Sequence, residues 1–216
     1  MSKKLKVFLA VFAILALSIT SVYAYENMIV DNMYNPIKEY EKINKTELGF
    51  KNHKQLVEQK NNKLKQAKID DVIATITFNN PLSFEKLQNY VNLHGLKLVQ
   101  IQARAINSNG DRVTIMSKSS KGLVETDRIV NEQSKDQNAE FIGYISLYCL
   151  VDSNKIENIE NDASTYLIDT SGDLFHAGKK QKNSKERNLS DSIDKKIGKR
   201  FPHSLAWDLE DLKNKK

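Results

Sequence analysis

Six groupings in this 216-residue chain have the residue types that chemistry needs, and their spacing decides what each can do. Cys149 lies inside the apolar run YISLYCLV, where burial raises a thiol pKa and hides the sulfur, so a structural thiol is expected. It is the only Cys, which excludes an intramolecular disulfide and any multi-cysteine zinc site. His53, His94, His176 and His203 are far apart, with no HExxH and no pair at i, i+4, so no zinc site is expected from them. His94, one residue before Gly95, reads as a helix-end residue where positive charge is favoured.

Asn107-Ser-Asn109-Gly110-Asp111 has the look of the start of a calcium loop, but the twelfth position from Asn107 is Lys118 rather than a bidentate Glu. A hairpin turn accounts for the same residues. Gly172 to Lys180 mimics a phosphate loop, with five residues between its glycines instead of four and Lys180 in place of the magnesium-binding Ser or Thr. The 8 glycines never come closer than the six positions between Gly172 and Gly178, so no dinucleotide fingerprint can form either. Ser192-Ile-Asp-Lys195 matches SxxK without the companion SDN and KTG elements. Asp169 and Asp173 could pair as carboxylates at a strand end, and turn chemistry explains them equally. No catalytic residue, metal ligand or cofactor is therefore expected, and the chain reads as a non-enzyme.

The elements that position these residues begin with an address. Lys3, Lys4 and Lys6 precede an unbroken apolar run from Val7 to Leu17, and Val22-Tyr23-Ala24 offers a cleavage site. Residues 1–24 read as a secretory signal peptide, or, left uncleaved, as an N-terminal membrane anchor. Export is expected, into the medium or on the outer face of the cytoplasmic membrane. Without this segment the formal charge falls from +6 to +3, since it holds three Lys and no acid. Residues 178–216 carry 12 Lys/Arg against 6 acids, while residues 25–177 carry 18 against 21. The basicity belongs to the ends and not to the body, which argues against a nucleic-acid partner.

Residues 25–71 show sparse apolar positions at helical spacing (Ile37, Tyr40, Ile43, then Leu56, Val57, Leu64) and read as a helical arm. Val72 to Phe78 alternates as a strand that Asn79-Asn80-Pro81 should break; Ser83 should cap a helix that Gly95 ends. Leu96 to Ile106 is a second strand, Asn109-Gly110 a hairpin turn, and Val113 to Met116 the returning strand. After a polar, weakly helical stretch at 119–139, Phe141 to Val151 has the composition of a central strand. A short helix with Ile156 and Ile159 inward then leads to a strand at 166–168. Strand–helix–strand thus occurs twice, at 72–106 and 141–169, around an insertion at 107–140. That pattern predicts an α+β, ferredoxin-like split βαβ sandwich over 72–172.

Two short βαβ halves in an exported chain, with NIENDASTYLIDTSGD (158–173) ending the second, resemble the protease-propeptide and I9-type inhibitor domains. The resemblance implies a ferredoxin-like module that covers an extracytoplasmic protease with its sheet. The long insertion departs from that family, and no protease domain follows. The remaining segment, 173–216, is a lysine-rich linker that could touch an anionic envelope surface, followed by an apolar patch. Phe201, Leu205, Trp207 and Leu209 in that patch are the expected partner-binding residues, and docking on the chain's own sheet is the other use open to them. The functional expectation is an exported protein-binding module, an inhibitor or regulator of an extracytoplasmic enzyme. The alternative is a membrane-attached envelope protein with a structural or sensory role.

Overall fold

The structure, a computed structural model, describes residues 35–66, 68–173 and 201–214. The N-terminal address, His176, the second glycine of the phosphate-loop mimic, the Ser192–Lys195 match and the basic run up to residue 200 lie outside the described residues. The described residues from Pro36 onward belong to one compact unit. Its elements are α1 (Pro36–Glu41), α2 (Glu47–Lys65), β1 (Val72–Leu82), α3 (Phe84–His94), β2 (Lys97–Asn107), β3 (Arg112–Lys118), α4 (Leu123–Asp136), β4 (Ala139–Val151), a 3-10 turn (Ser153–Lys155) running into α5 (Ile156–Glu160), β5 (Thr165–Asp169) and α6 (Ala206–Asn214).

The five strands form one sheet in the order β3-β2-β4-β1-β5, with every neighbouring pair antiparallel. β1, β2, β4 and β5 reproduce the split βαβ arrangement, each crossover helix returning the chain to a strand two places away. The insertion adds β3 to the β2 edge and supplies α4. This is the α+β, ferredoxin-like architecture that the repeated strand–helix–strand pattern predicts, and the apolar run at 141–151 lies in its central strand, β4.

Local chemistry sets the helix boundaries. The Ser83 hydroxyl accepts from Lys86 N at 3.4 Å, and Gly95 closes α3 in the left-handed region at φ 62°. Thr46 caps α2 by accepting from Gly49 N at 3.1 Å. Between β2 and β3, Asn107 Oδ1 accepts from the backbone N of Asn109 and Asp111, at 3.0 and 2.8 Å. The calcium-like residues are thus spent on the hairpin turn.

The first core lies between the sheet and helices α3, α4 and α5. Leu87, Tyr90, Val130, Ile156 and Ile159 meet Ala74, Ile76, Ile101, Ala103, Leu147 and Ile168 there. Cys149 belongs to this core, and burial pushes its thiol up to about 12, so the sulfur is held as an unreactive thiol. α2 runs beside β5, sending Leu64 into the first core and Phe50 and Val57 into a second one.

One expectation needs correction. β1 does not stop at Asn79: it bulges between Thr77 and Leu82 and pairs Leu82 with Tyr144. A bulge tolerates Pro81, which has no N–H to give to a ladder, and the Asn79 amide donates to Ala163 O and Thr165 O at 2.9 and 3.0 Å. His94 is the last residue of α3, as its place before Gly95 predicts, and it is turned inward. It is 4% exposed, packed on Tyr90, with Nε2 at 2.9 Å from Asp162 Oδ2.

Candidate binding site at the C-terminal helix

The second face of the sheet is covered by residues 201–214. Phe201 fills a small cluster with Ile73 and Leu150, its ring edge-on to Tyr148 at 5.5 Å. Leu205 joins Phe50, Val57 and Leu167. The backbone is fixed as well: Thr75 Oγ1 donates to Pro202 O at 2.7 Å, and Leu205 N donates to Thr77 Oγ1 at 3.3 Å. Burial raises the Tyr148 hydroxyl to about 12 against the opposing effect of the Ser204 backbone. That phenol stays neutral and accepts from Gln102 Nε2 at 2.8 Å.

α6 then crosses to the β2–β3 hairpin, where ionic contacts replace apolar ones. Arg104 Nε donates to Glu210 Oε1 at 3.0 Å, and Arg104 Nη1 to Thr114 Oγ1 at 2.5 Å. Arg112 donates to Glu210 Oε2 at 3.1 Å through Nη1 and to Asp211 through Nη2. Burial opposes the Arg112 charge, but the Asp211 and Glu210 carboxylates outweigh it and hold the guanidinium above its ordinary value. The two guanidinium carbons lie 4.7 and 4.2 Å from the centre of the Trp207 ring. Such cation–π contacts are most favourable on indole.

At its other side α6 reaches the N-terminal helices. Tyr40 donates to Asp208 Oδ2 at 2.6 Å, Lys45 Nζ approaches Asp208 Oδ1 at 3.3 Å, and His203 stacks on Tyr40 at 4.1 Å. Burial, with Asp208 adding to it, raises the Tyr40 hydroxyl above its ordinary value. Near the end of the helix, Lys213 Nζ donates to Asn79 O at 2.5 Å and Asn80 Oδ1 at 3.0 Å.

The four residues expected to bind a partner thus divide. Phe201 and Leu205 are 6% and 1% exposed, spent on the chain's own sheet, and Leu209 is half-buried. Trp207 alone presents itself, 42% exposed although clasped by two arginines. The second sheet face is therefore not open, as sheet-on-enzyme recognition of the inhibitor type requires. Beside Trp207, β3 is the outermost strand, with Met116 exposed, and a cleft of about 360 Å³ separates it from α4 at Gln133 and Asp136.

The other chemistry-bearing residues serve the fold. Asp173 Oδ2 accepts from Ile73 N at 3.0 Å, and Asp169 Oδ1 from Ser171 N at 2.8 Å, so this carboxylate pair holds turns and strand ends. His53 Nε2 stands 3.7 Å from Asp169 Oδ2. Among the described residues no group of three or more His, Cys, Asp or Glu is placed to hold a metal ion. Among the same residues, no helix is long and apolar enough to cross a membrane. A groove of about 790 Å³ between the end of β1, α3 and the turn before β5 is lined by Asn80, Asn89, Asn92 and Leu93.

Arg104, Arg112, Glu210 and Asp211 escape a reading of the sequence. Arg104 sits in the alternating run LKLVQIQARAI like any polar-face residue, and its partner Glu210 is 106 positions away. The one local sign is the acidic triplet Asp208, Glu210, Asp211 beside the chain's only Trp, in an otherwise basic tail. No protein-family model, curated protein or solved structure matches this chain.

Proposed function

We propose that this chain is an exported, non-enzymatic protein-binding module whose recognition surface is the β2–β3 hairpin with the C-terminal segment lying on it. The observation that carries this reading is the Arg104–Trp207–Arg112 stack at the β3 edge of the sheet, whose indole is 42% exposed. Trp and Arg dominate the energetics of protein interfaces when they are held rigidly at the centre of a patch. Here the sheet fixes both arginines and the arginines fix the indole. The exposed Met116 extends the same sheet face four residues along β3 from Arg112.

Regulation of an extracytoplasmic enzyme fits such a surface. The export address supports the compartment, and the buried Cys149 thiol and turn-bound Asp169 and Asp173 speak for a scaffold and not for an active site. Affinity capture with tagged residues 25–216 from native envelope and culture-fluid extracts tests the reading. A stoichiometric extracytoplasmic protein is expected with the wild type and should be lost with Arg112→Glu. Capture that is indifferent to Arg112→Glu, or that yields only membrane fragments resisting a high-salt wash, would replace it with the membrane-attached envelope protein.

A further inference from the structure

α6 does not follow β5 through a tight turn. Twenty-seven residues, 174–200, separate Asp173 from Phe201, so chain connectivity does not oblige the helix to occupy its place in every state. Its hold is also divided in kind. Phe201 and Leu205 are buried in apolar clusters, whereas beyond Ala206 the contacts to the hairpin are Glu210 and Asp211 on Arg104 and Arg112, plus the indole between them. The hairpin face beneath is polar, with Gln102, Arg104 and Thr114 in the register where an apolar core would put Val or Ile.

The fit is incomplete at one atom. Arg104 is 2% exposed, yet its Nη2 is buried without an acceptor, the only such side-chain atom among the described residues. A guanidinium is a planar fork that matches a carboxylate through two parallel N–H bonds, and a buried donor left unpaired is unfavourable. Glu210 takes Arg104 through Nε alone. The arginine pair is therefore a carboxylate-recognition site that its resident helix satisfies in part.

We propose that the β2–β3 face is a docking site for an acidic helical segment of a partner protein, and that α6 is its intramolecular stand-in. This rests on the proposed protein-binding function and names the partner's chemistry: the arginines are the recognising groups, and the partner's ring and carboxylates take the places that Trp207, Glu210 and Asp211 hold in the resting chain. What α6 offers defines that chemistry: an aromatic ring followed at i+3 and i+4 by two carboxylates, Trp207, Glu210 and Asp211, which share one face of a helix. A partner helix that carries this pattern, with a carboxylate able to reach Nη2 of Arg104, exchanges with α6 while Phe201 and Leu205 keep their pockets.

The test uses the full chain and a fluorescein-labelled peptide of residues 204–214, read by fluorescence anisotropy. A Trp207→Ala/Glu210→Gln variant, its resident helix weakened, is expected to bind the peptide at least ~10-fold more tightly than wild type, because the stand-in no longer competes. Binding should weaken with salt and disappear when Arg112→Glu is added. Glu210→Gln alone should give an intermediate gain, and it serves if the double variant loses its far-UV circular dichroism. Peptide binding that is equal in wild type and a folded weakened variant, or that survives Arg112→Glu, overturns the proposal. A dimeric mass for the weakened variant in light scattering would also overturn it, in favour of a second copy's α6. Peptide exchange without any captured partner would instead leave this docking site standing and remove the proposed function. Partner capture that fails with Arg112→Glu but is not competed by the peptide does the reverse.

Discussion

His94 and Asp162 face each other from the end of α3 and the turn before β5, and between them they join the two βαβ halves. Burial of Asp162 works against its charge. The hydrogen bonds from His94 and from Ser164 N outweigh that penalty and hold the carboxyl below the usual carboxylate range. A folded pKa depressed below the unfolded one gives stability that is present above the unfolded value, about 3.9 for Asp, and is lost as pH falls through the folded one. Asp162→Asn is expected to lower stability by about 1.5–3 kcal/mol at neutral pH, the worth of a hydrogen bond to a charged group. In urea denaturation the gap between wild type and variant should hold constant above about pH 5 and shrink below about pH 4. A gap independent of pH would mean that Asp162 contributes shape and not charge. Asn61 works in the same local way without titrating: its amide donates to Ile168 O and Glu160 Oε1 at 2.9 and 2.8 Å and accepts from Thr170 Oγ1 at 2.5 Å. It occupies the buried stripe of α2 at four residues from Val57, where the sequence shows only a polar residue on an apolar face.

Among the elements, β1 and β4 meet most closely where β1 bulges past Pro81. Gly143 lies at φ 148°, and a Cβ there would fall 2.8 Å from Leu82 O and 2.9 Å from Pro81 Cβ. Gly143→Ala therefore meets an unfavourable backbone and backbone atoms that cannot yield, an overpacking that costs about 1–3 kcal/mol. Gly95→Ala, also in the left-handed region but with open space around its Cβ, should cost about 1 kcal/mol. Urea midpoints of the two variants check the order; equal losses would show that the β1–β4 contact gives way. The same site explains what the sequence hides at this scale. Alternation, the Ser83 cap, the Gly95 stop and Asn109-Gly110 are local signals, and they locate strands and helices to within a few residues. Pro81 reads as a terminator because its lost N–H is a local fact. The bulge that excuses it depends on Gly143, sixty-two residues on.

At the scale of the whole molecule, the sheet has a cover on each face, but only one is built from contiguous βαβ units. The first, α3 to α5, follows from right-handed crossovers and is legible from the order of elements alone. The second is assembled from both ends of the chain: α2 brings Phe50 and Val57, the tail brings Phe201 and Leu205, and Tyr40, Lys45 and Asp208 clip the two together. The apolar patch around Trp207 is visible in the sequence, yet which of its residues turn inward is set by contacts from 38 (Leu205 to Leu167) to 155 (Leu205 to Phe50) positions away, so the candidate site was legible only as a segment. A cover made this way should melt with the sheet it completes. Leu205→Ala empties a fully buried position and is expected to cost about 2–4 kcal/mol. Trp207→Ala removes a ring already half in water, and with it two cation–π contacts, for about 1–2 kcal/mol. Since Trp207 is the only tryptophan, its fluorescence reports the C-terminal segment while far-UV circular dichroism reports the rest. In urea the two signals of the wild type should share one midpoint, as a single cooperative unit requires. With Leu205→Ala, whose anchor into the Phe50–Val57–Leu167 cluster is gone, the fluorescence transition should move ahead of the dichroism. If it does not, the C-terminal segment is held by its charges and not by its apolar anchor, and the ion pairs of Arg104 and Arg112 then set the stability of the second face.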